Sequence, residues 1–144
     1  MPYHFLENVA IADVAFEATG RTIEEMFISA GKALTVSMVK DLGSVIPTKI
    51  IKIKLSTENP EKLLFDFLQE LIFLKDAKLL LFSEYELAIS EKDKLWTLAG
   101  VLKGEKLDMK KHELLADVKA VSWHRFSIQK NSGNEWEAFV ILDV

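Results

Sequence analysis

The stretch from Asp117 to Val144, DVKAVSWHRFSIQKNSGNEWEAFVILDV, sets the reading of the whole chain. Two apolar-rich segments, Val118–Ile128 and Trp136–Leu142, flank a polar tip, Asn131-Ser132-Gly133-Asn134. Asn and Gly tolerate the positive φ of a tight reversal, so the stretch predicts a β-hairpin. Its far end is unusual. The apolar run Phe139-Val140-Ile141-Leu142 leads straight into Asp143-Val144, where a chain end is ordinarily polar and frayed. A strand that holds a carboxylate beside main-chain oxygens is a candidate cation site if a further hard oxygen arrives from elsewhere.

Upstream, the pattern alternates between strand and helix. Residues 3–18 form the first β candidate. Ala10, Ala12, Val14, Phe16 and Ala18 share one face, while Ile11, Asp13, Ala15 and Glu17 share the other, and Gly20 ends the strand. Thr22 and Glu25 have capping-box spacing. After them Ile23, Met26, Phe27, Ala30, Leu34 and Met38 recur at helical intervals up to Asp41-Leu42-Gly43-Ser44. Gly31 within this helix costs about 1 kcal/mol relative to Ala, which close packing would explain. Lys49–Thr57 alternates as a half-buried strand. Asn59-Pro60 opens a second helix with Asn as N-cap and Pro in the first turn. Its apolar face is Leu63, Leu64, Phe67, Leu68, Leu71 and Ile72, with Asp66, Glu70 and Lys75 expected outward. Leu79–Ser90 and Leu95–Lys103 predict a hairpin around the charged turn Glu91–Lys94, and Leu107–Leu115 reads as a loop or a short helix. The order β-α-β-α-β-β-β-β predicts an α+β fold with two helices on one face of a mostly antiparallel sheet.

Composition bounds function. The 144 residues fit one domain, residues 1–144, able to bury a full core. A net charge of -4 and a pI near 5.4 argue against nucleic-acid binding by bulk electrostatics. The chain has no cysteine, which removes disulfides, thiolate ligands and Cys nucleophiles and suits a reducing cytoplasm. The N-terminal segment lacks the pattern of a signal peptide, and no apolar run reaches membrane-spanning length.

Most catalytic signatures are missing: there is no Walker A loop, GxGxxG, HExxH or GxSxG. His4, His112 and His124 do not fall at a ligand spacing. Ser122 and His124 lie two apart on one predicted strand and so share a face, but no acid completes a triad. Lys103, Lys106, Lys110, Lys111, Lys119, Arg125 and Lys130 gather in the C-terminal third, diluted by Glu105, Asp108, Glu113 and Asp117. They form either a solvated face or a contact with RNA phosphates or an acidic partner. Asp13 and Asp143 each sit on the less apolar face of an apolar strand. They either face water at strand ends or share a metal ion.

These pieces resemble the archease family along essentially the whole chain. The resemblance is carried by Ala12-Asp13-Val14, by the helix Pro60–Leu71, by Leu80-Leu81-Phe82-Ser83, by Gly104-Glu105 with His112, by Val118–His124 and by Val140–Val144. The run Lys119-Ala120-Val121-Ser122-Trp123-His124 and the closing Leu142-Asp143-Val144 are its most specific parts. The family often has Asp-His-Thr-Ala-Asp where this chain reads Val9-Ala10-Ile11-Ala12-Asp13, and Ser122 stands for the more usual Thr. The resemblance implies an accessory protein, not an enzyme: a cytoplasmic activator of the GTP-dependent tRNA-splicing RNA ligase. An alternative is a chaperone of a tRNA cytosine methyltransferase. A small metal-dependent hydrolase using Asp13, Asp143 and a metal-bound water is a third, weaker reading. It also implies a divalent ion, calcium first, with magnesium or manganese as alternatives, on Asp13, Asp143 and a Val144 main-chain oxygen. Lys111, His112, Lys119, His124 and Arg125 are then candidate contacts to the partner or to RNA, with RNA reached through the partner. No membrane partner is implied, and self-association is left open.

Overall fold

The structure is a computed structural model that describes residues 2–7 and 13–144. The predicted strand positions Ala10–Ala12 lie outside the described residues. The α+β class and the order of helices and long strands hold, with two refinements. The first β stretch contains a short strand β1, Tyr3–Leu6, antiparallel to β2, Asp13–Gly20. The seven strands among the described residues then divide into two antiparallel sheets instead of one, in the orders β1-β2-β7-β6 and β3-β5-β4. Here β3 is Lys49–Thr57, β4 Leu80–Lys92, β5 Leu95–Lys106, β6 Ala120–Lys130 and β7 Trp136–Asp143.

Both helices serve both sheets. Helix α1, Ile23–Met38, packs on β2 from one sheet and β4 from the other, and α2, Pro60–Lys78, packs on β6 and on β3, β4 and β5. The caps follow from the sequence. The Thr22 hydroxyl accepts from the Glu25 N–H at 3.1 Å, and Asn59 Oδ1 accepts from the Lys62 N–H at 2.8 Å. The return bond from Glu25 goes one residue further out than a capping box requires, to the Arg21 N–H at 2.7 Å. Leu63, Leu64, Phe67, Leu68, Leu71 and Ile72 are all buried, as the helical spacing requires. Phe67 meets Phe27 at 5.8 Å between centroids and Tyr85 edge-on at 6.1 Å. Tyr85 in turn presses its ring on Gly31. A Cβ there would sit 3.0 Å from the ring, which accounts for glycine in a helix interior.

The hairpins are tighter than predicted. Strands β4 and β5 run almost to their reversal, leaving Asp93 and Lys94 in the left-handed region, φ 53° and 65°, as a two-residue type I′ connection requires. In the closing hairpin Asn134, not Gly133, takes the left-handed position (φ 60°). Asn131 Oδ1 stitches that tip by accepting from the N–H groups of Gly133 and Glu135. Residues 107–115 form a loop with one turn at residues 109–111 and an isolated bridge from Leu114 to Val39.

Candidate metal site and the C-terminal hairpin

Strand β7 is central in its sheet, and this places the candidate ligands. In the β2–β7 register Asp13 is the direct partner of Asp143, and on the other side Asp143 faces Ala120 of β6. Val140 and Leu142 are fully buried, so alternation sends Asp143 and Asp13 to the opposite face of the sheet. Directly opposed residues in an antiparallel pair hold their Cβ atoms about 4.5–5.5 Å apart, and both carboxylates are exposed. Among the described residues neither is ion-paired. Like charges directly opposite each other are unfavourable. A divalent cation fits such a pair: its donors would be the Asp13 and Asp143 carboxylates and a Val144 main-chain oxygen, all hard. No three His, Cys, Asp or Glu side chains converge among the described residues. Calcium takes about six to eight oxygens, so the Asp13 and Asp143 carboxylates and a Val144 main-chain oxygen would leave positions for further ligands.

Beneath this tip lies a clamp. Lys75, expected outward, is 8 % exposed. Its ammonium donates to Asp117 Oδ1 at 2.7 Å and to the Val118 carbonyl at 2.8 Å, and it pairs with Asp76 Oδ1 at 2.8 Å. Desolvation is the largest single influence on Lys75 and opposes its charge, but Asp117 and Asp76 together outweigh it and raise its pKa above the usual lysine value. The neighbouring Lys119 N–H donates to the Asp143 carbonyl at 2.8 Å.

The candidate contact residues separate into two groups. Lys119, His124 and Arg125 are exposed on or just before β6. His112 is not a contact residue: it is 2 % exposed and both ring nitrogens are engaged. Nδ1 accepts the Asp108 N–H at 2.9 Å, so Nε2 carries the proton and donates to Glu105 Oε2 at 3.0 Å. Lys111, 2.7 Å from Glu105, belongs to the same network. Burial pushes the Glu105 carboxyl up, but Lys111, the Ile46 N–H and His112 together bring it down to about 2. The Gly104-Glu105 and His112 motif thus pins the 107–115 loop to the sheet.

The Ser-Trp-His motif forms a bulge. Ser122 pairs with Ile141 and Ser127 with Phe139, so four residues of β6 stand opposite Val140 alone. Arg125 is left-handed there (φ 58°), with its guanidinium 4.7 Å from the centroid of the Phe139 ring. Trp123, half exposed, stacks on Phe65 of α2 with centroids 3.9 Å apart and planes 8° from parallel, and Phe126 meets both rings edge-on. The expectation that Ser122 and His124 share a strand face fails at this bulge. Ser122 Oγ accepts the His124 backbone N–H at 3.1 Å, a local turn and not a Ser–His dyad.

Two of these features carried a signal in the sequence. Lys75 falls four residues after Leu71 and three after Ile72, on the helix stripe that is buried. Glu105 and His112 both belong to the stretches that carry the family resemblance, Glu105 with no role assigned to it and His112 as a candidate contact. The Phe65–Trp123 stack carried none, because it depends on where the bulge turns the indole.

The comparisons with known proteins agree with this architecture. The Archease protein family (MTH1598/TM1083) matches residues 3–144. The archease protein of Methanopyrus kandleri is 31% identical over 144 residues, covering 100% of both chains, and that of Pyrococcus furiosus is 32% identical over 133 residues, covering 92% of this chain and 93% of its own. The solution structure of Methanobacterium thermoautotrophicum protein 1598 superposes with a TM-score of 0.85 at 34% identity, covering 99% of each chain. By sequence across its whole length and by fold, this chain belongs to the archease protein family.

Proposed function

We propose that this protein is a non-enzymatic activator of the GTP-dependent tRNA-splicing RNA ligase, promoting its guanylylation and its multiple turnover in tRNA splicing and RNA repair. Membership of a family known as tRNA-splicing ligase activators supports the class of function. One observation carries the mechanism: the register that sets Asp13 against Asp143 at an exposed sheet end. In this reading the two carboxylates and a Val144 main-chain oxygen hold a divalent cation, calcium first. When bound, the ion supplies open coordination positions for oxygens of a partner. The chain's own part is to fix the geometry. Asp143 is held by pairing on both sides, and the Lys119 N–H anchors its carbonyl. A mount of that kind presents oxygens at fixed spacing, which a frayed tail cannot do. RNA is reached through the ligase, in keeping with a net charge of -4.

The test is multiple-turnover RNA ligation by the cognate ligase with and without this protein, alongside calcium titration. Asp13→Ala and Asp143→Ala are expected to fold normally, since both side chains are exposed, and to lose calcium binding and activation together. Full activation by folded Asp143→Ala would refute the mechanism.

A further inference from the structure

We infer that Lys75 is a positioning residue for the carboxylate tip, acting through a single peptide group. The inference rests on the cation reading above for its purpose, but its geometry stands independently. The peptide between Val118 and Lys119 is held at both ends. Its oxygen accepts from the Lys75 ammonium at 2.8 Å, and its N–H donates to the Asp143 carbonyl at 2.8 Å. Lys75, buried in helix α2, is thereby linked to Asp143 by two consecutive hydrogen bonds through one planar unit.

Three features make this more than a core contact. The ammonium has three donors and finds three acceptors, in Asp117, Asp76 and the Val118 carbonyl, so its direction is fixed. It sits at the edge of an open pocket of about 210 Å³ lined by Met38, Leu81, Leu107 and Leu115, and its bond to the Val118 carbonyl is itself buried, where a charge-assisted bond is strengthened. A peptide oxygen that accepts from a cation also makes its own N–H a better donor, and that N–H is the one on Asp143. The next residue, Ala120, is the direct partner of Asp143. Lys75 therefore fixes the point at which β6 begins to pair, on the side of Asp143 away from Asp13. Gln69, from the same helix, accepts the Val121 N–H at 2.7 Å and carries the edge further along. Without the ammonium, Asp143 would stay registered on β2 but lose its support from β6, and the spacing of the tip oxygens would loosen.

The experiment uses the full chain and calcium alone as the probe. Lys75→Met keeps the side-chain volume and leaves the well-exposed Asp117 carboxylate in water, so the fold is expected to survive; Lys75→Arg keeps the charge. Backbone amide hydrogen exchange is read first, without metal. In Lys75→Met the Lys119 amide is expected to exchange about tenfold faster, the loss of roughly one hydrogen bond, with the β3–β5 amides unchanged. Calcium affinity, read by calorimetry, is expected to fall by a similar factor of about ten, since a loosened mount must be reordered on binding, and Lys75→Arg should recover most of both. Leu98→Ala, buried in the other sheet, controls for general destabilisation and should leave calcium affinity at the wild-type level. Unchanged Lys119 exchange in Lys75→Met overturns the inference. So does unchanged calcium affinity in that variant, or an equal loss of affinity in Leu98→Ala. Wild-type protein that binds no calcium would overturn the cation reading instead, and Lys119 exchange would still decide whether Lys75 positions the strand.

Discussion

Replacing Gly31 by alanine sets two effects of similar size against each other. In an isolated helix the change is favourable by about 0.8–1 kcal/mol, because glycine is the poorest helix former after proline. Here the new methyl would lie 3.0, 3.1 and 3.2 Å from the Cζ, Cε1 and hydroxyl of Tyr85. The ring has little room to retreat. Its hydroxyl lies 3.2 Å from the Phe82 carbonyl and 3.3 Å from Thr35 Oγ1, and Phe67 packs edge-on against it. Overpacking of this kind costs about 1–3 kcal/mol. The net expectation is a loss of about 0–2 kcal/mol, centred near 1, or a Tm lower by about 2–4 °C for a chain of this length. Urea denaturation should show a lower midpoint at unchanged slope. The decisive arm is a double-mutant cycle with Tyr85→Leu, which removes the ring while Thr35 keeps its 2.8 Å bond to the Phe82 carbonyl. In that background Gly31→Ala should stabilise by about 1 kcal/mol, its intrinsic helix gain. If Gly31→Ala stabilised the wild type by the full helix gain, the argument that Tyr85 requires glycine at this position would be refuted.

Leu68→Ala, truncating a fully buried side chain, should cost about 2–5 kcal/mol in urea denaturation. Glu105 titrates at about 2 in the folded protein against an ordinary 4.5, so its contribution to stability is complete above about pH 4.5 and lost as pH falls toward 2; the extra acid sensitivity of the wild type should vanish from the urea midpoints of Glu105→Gln across that window. Saturating calcium at about 100 times its Kd should stabilise the wild type by about 2.7 kcal/mol, and Asp13→Asn or Asp143→Asn should show no such shift in thermal melts. The protein alone should bind tRNA weakly and with a steep salt dependence; tight binding at physiological salt in a filter or fluorescence assay would favour direct RNA recognition through Lys119 and Arg125.

What was legible in the sequence was whatever depends on local spacing. Thr22 and Asn59 marked the helix starts, the 3.6-residue recurrence from Leu63 to Ile72 gave the buried face of α2, and the alternation around Asp13 placed it off the core side. The facing of Asp13 and Asp143 is implied in the sequence by the family resemblance and by nothing local, because pairing across the sheet decides which strands become neighbours. The division into two sheets was hidden for the same reason. The charge of Lys75 argues for solvent, whereas its spacing puts it on the buried stripe, and three acceptors satisfy it there. The burial of His112 is not legible because its partners, the Asp108 N–H and Glu105, come together only once residues 107–115 fold back. The β6 bulge could not be seen at all: Trp123 to Phe126 read as ordinary strand until the register with β7 shows four residues standing against one.

The topology also has a temporal side. Strands β3, β5 and β4 come from one continuous part of the chain and can assemble as soon as it is made, whereas β2 must wait for β7, and Asp13 finds Asp143 only across almost the entire sequence. Closing so long a loop is the slow kind of step in folding. During synthesis the apolar face around Phe16 would stay without its final neighbour, the condition in which unfinished chains associate wrongly. The carboxylate pair therefore comes into being only when β7 docks on β2. Until β7 docks on β2, nothing in the sheet holds the two carboxylates side by side.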